Sequence, residues 1–249
     1  MNKRTLGYIL LAIALVGLVA VVAINSAKTD VGNTLQHQDE PKTVDLTLLQ
    51  KSDKQIVTTE HGVSIDATYP VFENVPSVIN ADIKDFIDQG ISDIKDAGVD
   101  QSGGEGQETL SFAADYKADQ ANTHYVSLAF TVNVYSGGAH PNSYYKAFNF
   151  DTETGKTVTL AELYPNEKDP LAKLEPAIAT ALQKYLTDFF ASQGDTTTDP
   201  DSVLFANVED FDPQIFENFT FTDQTLTFYF SPYDIASYAV GPIEITIKR

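Results

Sequence analysis

Leu6 to Ile24 is an unbroken run of 19 residues made only of apolar side chains, two glycines and one tyrosine. As a helix rising about 1.5 Å per residue it reaches roughly 28 Å, the thickness of a bilayer's hydrocarbon core. Lys3 and Arg4 precede it. The positive-inside rule therefore keeps the short amino end in the cytoplasm and sends everything that follows across the membrane. A cleaved signal peptide is the alternative, with Val21-Val22-Ala23 or Asn25-Ser26-Ala27 as weak small-residue sites. Signal cores are usually shorter, about 7 to 15 residues, so residues 1–27 are expected to stay as a single-pass anchor.

The exported remainder is acidic. The whole chain carries a formal charge of −19, and setting aside Lys3 and Arg4 leaves −21. Such a surface repels phosphate backbones and favours basic partners, which excludes nucleic acid. Cysteine is absent, so disulfides, thiolate metal sites and a lipidated cysteine are excluded. Residues 28–53 are polar, poor in aromatics and without sustained periodicity, and they read as a flexible stalk with structure starting near Gln55.

Two β-rich stretches from Gln55 to Phe72 flank His61-Gly62, a hairpin signal. Ile79, Ile83, Phe86, Ile87, Ile91 and Ile94 then recur at helical spacing, with Asp82, Asp85, Asp88 and Asp93 on other faces. This predicts an amphipathic helix of about 20 residues ending near Gly98. After the loop Ser102-Gly103-Gly104-Glu105-Gly106, alternation at Leu110–Tyr116, Leu128–Val134 and Tyr144–Phe150 predicts antiparallel strands. A turn at Asp151 to Gly155 is expected to lead into a further strand at Val158 and Leu160. Asp169-Pro170 is an N-cap followed by proline at the first helical position, opening a second helix that Gly194 stops. Phe219–Phe221, Leu226–Phe230 and Ile243–Ile247 read as three more strands. The fold class is α+β: antiparallel β-sheets, each packed against a long amphipathic helix, after an N-terminal transmembrane helix.

The stretch Tyr135-Ser-Gly-Gly-Ala-His-Pro-Asn-Ser-Tyr-Tyr-Lys-Ala-Phe-Asn-Phe-Asp-Thr-Glu-Thr-Gly-Lys156, with Leu160-Ala-Glu-Leu-Tyr164, resembles the signature of the extracytoplasmic module of RsiV-type anti-sigma proteins. A similar module stands beside PdaC-type peptidoglycan deacetylases. The runs Glu217–Asp223, Leu226–Ala236 and Ala239–Ile247 are similar to the same family. The resemblance divides the exported region into a PdaC-like part at 54–150 and an RsiV-like part at 151–249. It implies an α+β binding module outside the membrane, which in RsiV receives lysozyme and in PdaC accompanies a catalytic domain. Only about five residues precede Leu6, too few to grip a sigma factor, and no stretch remains for a separate deacetylase domain.

Chemistry is sparse in the pattern. His37, His61, His124 and His140 show no metal-ligand spacing, and no Gly-x-Ser-x-Gly, phosphate loop or dinucleotide fingerprint occurs. Asp195, Asp199 and Asp201 lack the glycine and spacing of an EF-hand and read as a solvated loop. No catalytic residue, metal or cofactor is expected. Tyrosine is favoured at recognition surfaces, and tyrosines gather around the family motifs. The candidate ligand-binding residues are Tyr135, His140, Tyr144, Tyr145 and Tyr233. Against this stands the reading that most are half-buried sheet residues, and that His140 bonds loop backbone between Gly138 and Pro141. The expected function is a non-catalytic, membrane-tethered binding or sensing module for a cell-envelope ligand, either a basic protein such as lysozyme or a wall glycan. The alternative is a wall-modifying hydrolase or deacetylase, or its accessory domain.

Overall fold

The computed structural model describes residues 47–100 and 109–249. The expected anchor, most of the stalk and the glycine-rich loop Ser102–Gly106 lie outside the described residues. Among the described residues no helix is long and apolar enough to cross a membrane. The described residues form one compact unit.

Strands β1 (Lys51–Glu60) and β2 (Val63–Phe72) form a hairpin around His61 and Gly62. Both turn residues have positive φ, 51° and 78°, as a two-residue loop matched to strand twist requires. The strand begins four residues before Gln55, and Leu48 already bridges to Asn122. Helix α1 (Ser77–Asp100) buries Ile79, Ile83, Ile87 and Ile94 against the sheet. Their four- and seven-residue spacing places them on one stripe, and Asp82, Asp85, Asp88 and Asp93 are exposed on the rest. At Gly90 the helix runs so close to the sheet that an added Cβ would meet the ring of Phe112 at 2.3 Å.

Strand β3 (Leu110–Ala121) pairs with β2 in parallel, with Ile65 opposite Phe112. This corrects the expectation of purely antiparallel sheets. The helix carries the chain back along the sheet, so β3 starts at the same end as β2. Strands β4 (Tyr125–Tyr135) and β5 (Asn142–Asp151) add antiparallel neighbours, giving a five-stranded mixed sheet in the order β1-β2-β3-β4-β5. The register shifts between Ala118 and Gln120.

Asp151 closes the turn after β5: its carboxylate accepts from the backbone N–H groups of Glu153 and Thr154 and from the Thr154 hydroxyl. The strand expected at Val158 and Leu160 does not form. A single bridge from Phe150 to Thr157 is followed by a capping box, Thr159 with Glu162, that opens the short helix α2 (Leu160–Leu163). Helix α3 (Pro170–Ser192) starts as expected, with the Asp169 side chain accepting from Ala172 N–H. Leu174, Ile178, Leu182 and Leu186 are its buried stripe. Strands β6 (Phe219–Phe221), β7 (Thr225–Phe230) and β8 (Ile243–Lys248) form an antiparallel sheet whose inner face packs on α3 and the ring of Phe216.

Polar side chains join the two sheets. Ser127 Oγ accepts from Phe221 N–H at 2.8 Å and donates to Asn149 Oδ1 at 2.7 Å. Asn149 Nδ2 donates to the Phe219 carbonyl at 2.7 Å, and Gln120 Nε2 to the Phe221 carbonyl at 2.8 Å. All three are buried. Along the outer edge of β5, Asn218 accepts from Ala147 N–H and donates to the carbonyls of Tyr145 and Tyr229, while Ser231 Oγ accepts from Tyr145 N–H. Buried backbone groups need partners, and these amides and hydroxyls supply them where no strand does.

Candidate functional site

Residues 136–141 link β4 to β5, and Gly137 and Gly138 take φ values of 96° and 107° that other residues rarely adopt. The hydroxyl of Tyr135 donates to the Gly138 carbonyl at 3.0 Å, folding the loop onto the strand end. His140 follows, with Nδ1 3.1 Å from the Pro141 carbonyl oxygen. Its exposed ring stacks on Tyr238 with centroids 4.0 Å apart and planes 27° from parallel. Tyr238 belongs to a 3₁₀ turn, Tyr238–Val240, just before β8, and its hydroxyl donates to the Pro141 carbonyl at 2.7 Å.

Tyr233 extends the row, its centroid 5.8 Å from that of Tyr238, and is 60% exposed. Its φ of 75° lies in the left-handed region, which costs a side-chain-bearing residue roughly 1–2 kcal/mol. The turn holds it there: Tyr233 N–H donates to the Ala236 carbonyl, and the Asp234 carboxylate accepts from Ser231 N–H. The product is a corner of three rings, His140, Tyr238 and Tyr233, drawn from both halves of the chain and braced by backbone hydrogen bonds. Strained residues of this kind concentrate at functional surfaces.

The other two candidates sit elsewhere. Successive strand residues point to opposite faces, so Tyr144 and Tyr145 part company. Tyr144 lines a cleft of about 350 Å³ beside α1 with Asp93, Phe112 and Val134. Tyr145 faces the second sheet and packs on Tyr229, centroids 5.1 Å apart. Burial pushes both phenols above the ordinary tyrosine value, with Asp93 adding to the effect at Tyr144 and Glu244 at Tyr145. Tyr135 and His140 thus share one corner with Tyr233, whereas Tyr144 and Tyr145 are half-buried packing residues. Tyr238, the centre of the row, is absent from the sequence-derived set; its place between the motif runs Leu226–Ala236 and Ala239–Ile247 was the available signal.

A second feature lies on the face of the five-stranded sheet turned away from α1. The second sheet covers the Ser127–Asn149 end of that face and leaves the other end open. There a groove of about 580 Å³ is lined by Gln55, Asp66, Thr68, Asp115, Lys117, Thr131 and Asn133 over a floor that includes Ala113. Lys117 is engaged by Glu244 at 3.4 Å and Asp119 at 3.7 Å. Among the described residues no three His, Cys, Asp or Glu side chains converge as a metal site.

Comparison with known proteins follows the same division of the chain. The family model described as deacetylase PdaC matches residues 56–143, and that described as a protein of unknown function, DUF3298, matches residues 161–249. An esterase of Mycobacterium tuberculosis is 30% identical over 113 residues, 45% of this chain and 44% of the esterase. The peptidoglycan-N-acetylmuramic acid deacetylase PdaC of Bacillus subtilis is 23% identical over 181 residues, 73% of this chain and 36% of the deacetylase. The chain therefore spans less than half the length of either relative. A crystal structure of a DUF3298 family member from Bacteroides fragilis shares the fold, with a TM-score of 0.50 at 18% identity over 82% of this chain and 92% of that one. With a PdaC match over its first sheet and a DUF3298 match over its second, the chain is a PdaC/DUF3298-like module.

Proposed function

We propose that this protein is a non-catalytic, membrane-tethered binding module held outside the cytoplasm, and that its ligand belongs to the cell envelope. The observation that carries the reading is the three-ring corner. Exposed rings are normally dispersed, yet here exposed His140 and Tyr233 flank half-buried Tyr238, whose hydroxyl is fixed on the Pro141 carbonyl. Rigid aromatic rings bind at low entropic cost, stacking on the apolar face of a sugar or receiving a cationic side chain. The similarity to a peptidoglycan deacetylase supports a wall glycan as the ligand. The charge of −19 supports a basic protein such as lysozyme, by electrostatic steering.

The alternative, a wall-modifying hydrolase, needs a carboxylic acid kept protonated by burial. Asp66 and Asp115, the carboxylates lining the open groove, are both exposed, and the two carboxyls that burial does raise above their ordinary values, Glu217 and Asp234, lie outside that groove.

The test is retention of the purified 249-residue chain on peptidoglycan sacculi and on immobilised lysozyme, at low and moderate salt. Tyr238→Ala, combined with Tyr233→Ala, is expected to weaken retention by roughly tenfold, as for loss of interface aromatics. Salt is expected to weaken lysozyme retention and spare that on sacculi. Retention of neither ligand, or retention indifferent to the two substitutions, overturns the proposal.

A further inference from the structure

The open groove on the first sheet points to a ligand of narrower chemistry than the corner does. Its lining comes from alternate positions of four neighbouring strands, β1 to β4. Hydrogen-bonding side chains there stand in a grid, about 4.8 Å apart across strands and roughly 7 Å apart along them. That spacing suits a chain of pyranose rings bearing hydroxyls at every unit, and a volume of 580 Å³ falls within the range of small-ligand sites.

The polar groups are mostly unspent. Among the described residues the Asp66 side chain makes no hydrogen bond or ion pair, and that of Asp115 accepts only from the neighbouring Tyr116 N–H. Asn133 Oδ1 accepts from Ser143 at 2.6 Å, which leaves its NH₂ group to donate outward. Gln55 and Thr131 are exposed and likewise unpaired among the described residues. Carboxylates that only accept, beside amides and a hydroxyl that both donate and accept, match sugar hydroxyls, which do the same. Lys117, the cation of the groove, is held by Glu244 and Asp119, so among the described residues lining the groove an anionic ligand meets two free carboxylates and no free cation.

We propose that this groove binds a neutral, hydroxyl-rich glycan segment, separately from the aromatic corner. The proposal rests on the envelope-ligand reading and names the chemistry of the ligand and a second place where it is read.

Calorimetric titration of the 249-residue chain in a sugar-free detergent tests it, with three probes: the neutral N-acetylglucosamine tetramer, its cationic deacetylated form, and tetralysine. The neutral tetramer is expected to bind with little salt dependence. Asp115→Asn and Asn133→Ala are each expected to weaken it about tenfold, as for removal of a hydrogen bond to a polar ligand. Asp85→Asn, on α1 across the sheet from the groove, is expected to leave it unchanged, and Thr131→Val supplies an independent groove variant; an unaltered urea midpoint shows that each is folded. Binding of only the two cationic probes, lost on adding salt, overturns the proposal, as does binding that ignores every groove variant. If sacculi retain the protein but the neutral tetramer does not bind, the groove assignment falls and the wider reading stands. If neither sacculi nor lysozyme retains it, the wider reading falls with it.

Discussion

Replacing Ser127 with alanine tests whether the two sheets stand or fall together. Ser127 is 0% exposed and makes two hydrogen bonds, one accepted from Phe221 N–H in the second sheet and one donated to Asn149 within the first. The change removes one oxygen and almost no volume, so cavity costs are small. What remains is a buried backbone N–H with no acceptor, and an Asn149 carbonyl deprived of its donor. At about 1–3 kcal/mol for each orphaned group, partly relieved by relaxation, the expected loss is roughly 2–4 kcal/mol. That is a large share of the 5–15 kcal/mol typical of a domain. Urea unfolding followed by far-UV circular dichroism and by tyrosine emission, which no tryptophan obscures, measures it. Both probes should report one transition at a lower midpoint with an unchanged slope. Asn149→Ala belongs to the same network, so the double variant should lose at least about 1 kcal/mol less than the sum of the singles. A loss below about 0.5 kcal/mol, additive singles, or two separated transitions would refute the view that this polar seam welds the sheets.

Two further outcomes follow from local geometry. Gly90→Ala should destabilise by about 1–2 kcal/mol in urea unfolding, because overpacking against the buried Phe112 ring outweighs the roughly 1 kcal/mol that alanine gains in a helix. Phe112→Leu in that background should recover part of the loss. At Asp151, hydrogen bonds from Thr154 and Glu153 hold the carboxyl below its ordinary value of 3.8. The folded state therefore gains from the charge above that value and loses the gain as pH falls through the lowered one. Wild type should exceed Asp151→Asn by about 1 kcal/mol at pH 6, with the gap closing in acid; a gap constant with pH counts against this account.

Much of the fold was legible because local chemistry decided it. The isoleucine stripe of α1, the Asp169-Pro170 start of α3 and the His61-Gly62 turn each have a cause confined to a few residues. The parallel pairing of β2 with β3 was not legible, since alternation reports which face a residue takes and says nothing of strand direction. Thr159 and Glu162 carried a capping-box signal three residues apart that the strand expectation at Val158 overrode. Asn218 matches a glycosylation sequon, yet its amide is consumed by β5 and β7 backbone. The candidate site divided the same way. Motif proximity found Tyr135, His140 and Tyr233, but a stack between residues 98 apart in the chain, such as His140 on Tyr238, leaves no periodic trace. The groove residues looked like ordinary solvent-facing strand positions, because only the tertiary packing tells which part of a polar face is left open.

The brace from Tyr238 to the Pro141 carbonyl joins the β4–β5 loop to a turn 97 residues further along the chain. A chain truncated before Tyr238 carries His140 without its stacking partner, so the three-ring corner exists only once the second sheet's turns are in place. Building the corner is thereby tied to the docking of one half of the fold on the other, and a variant that loosens that docking scatters the three rings even with every ring present.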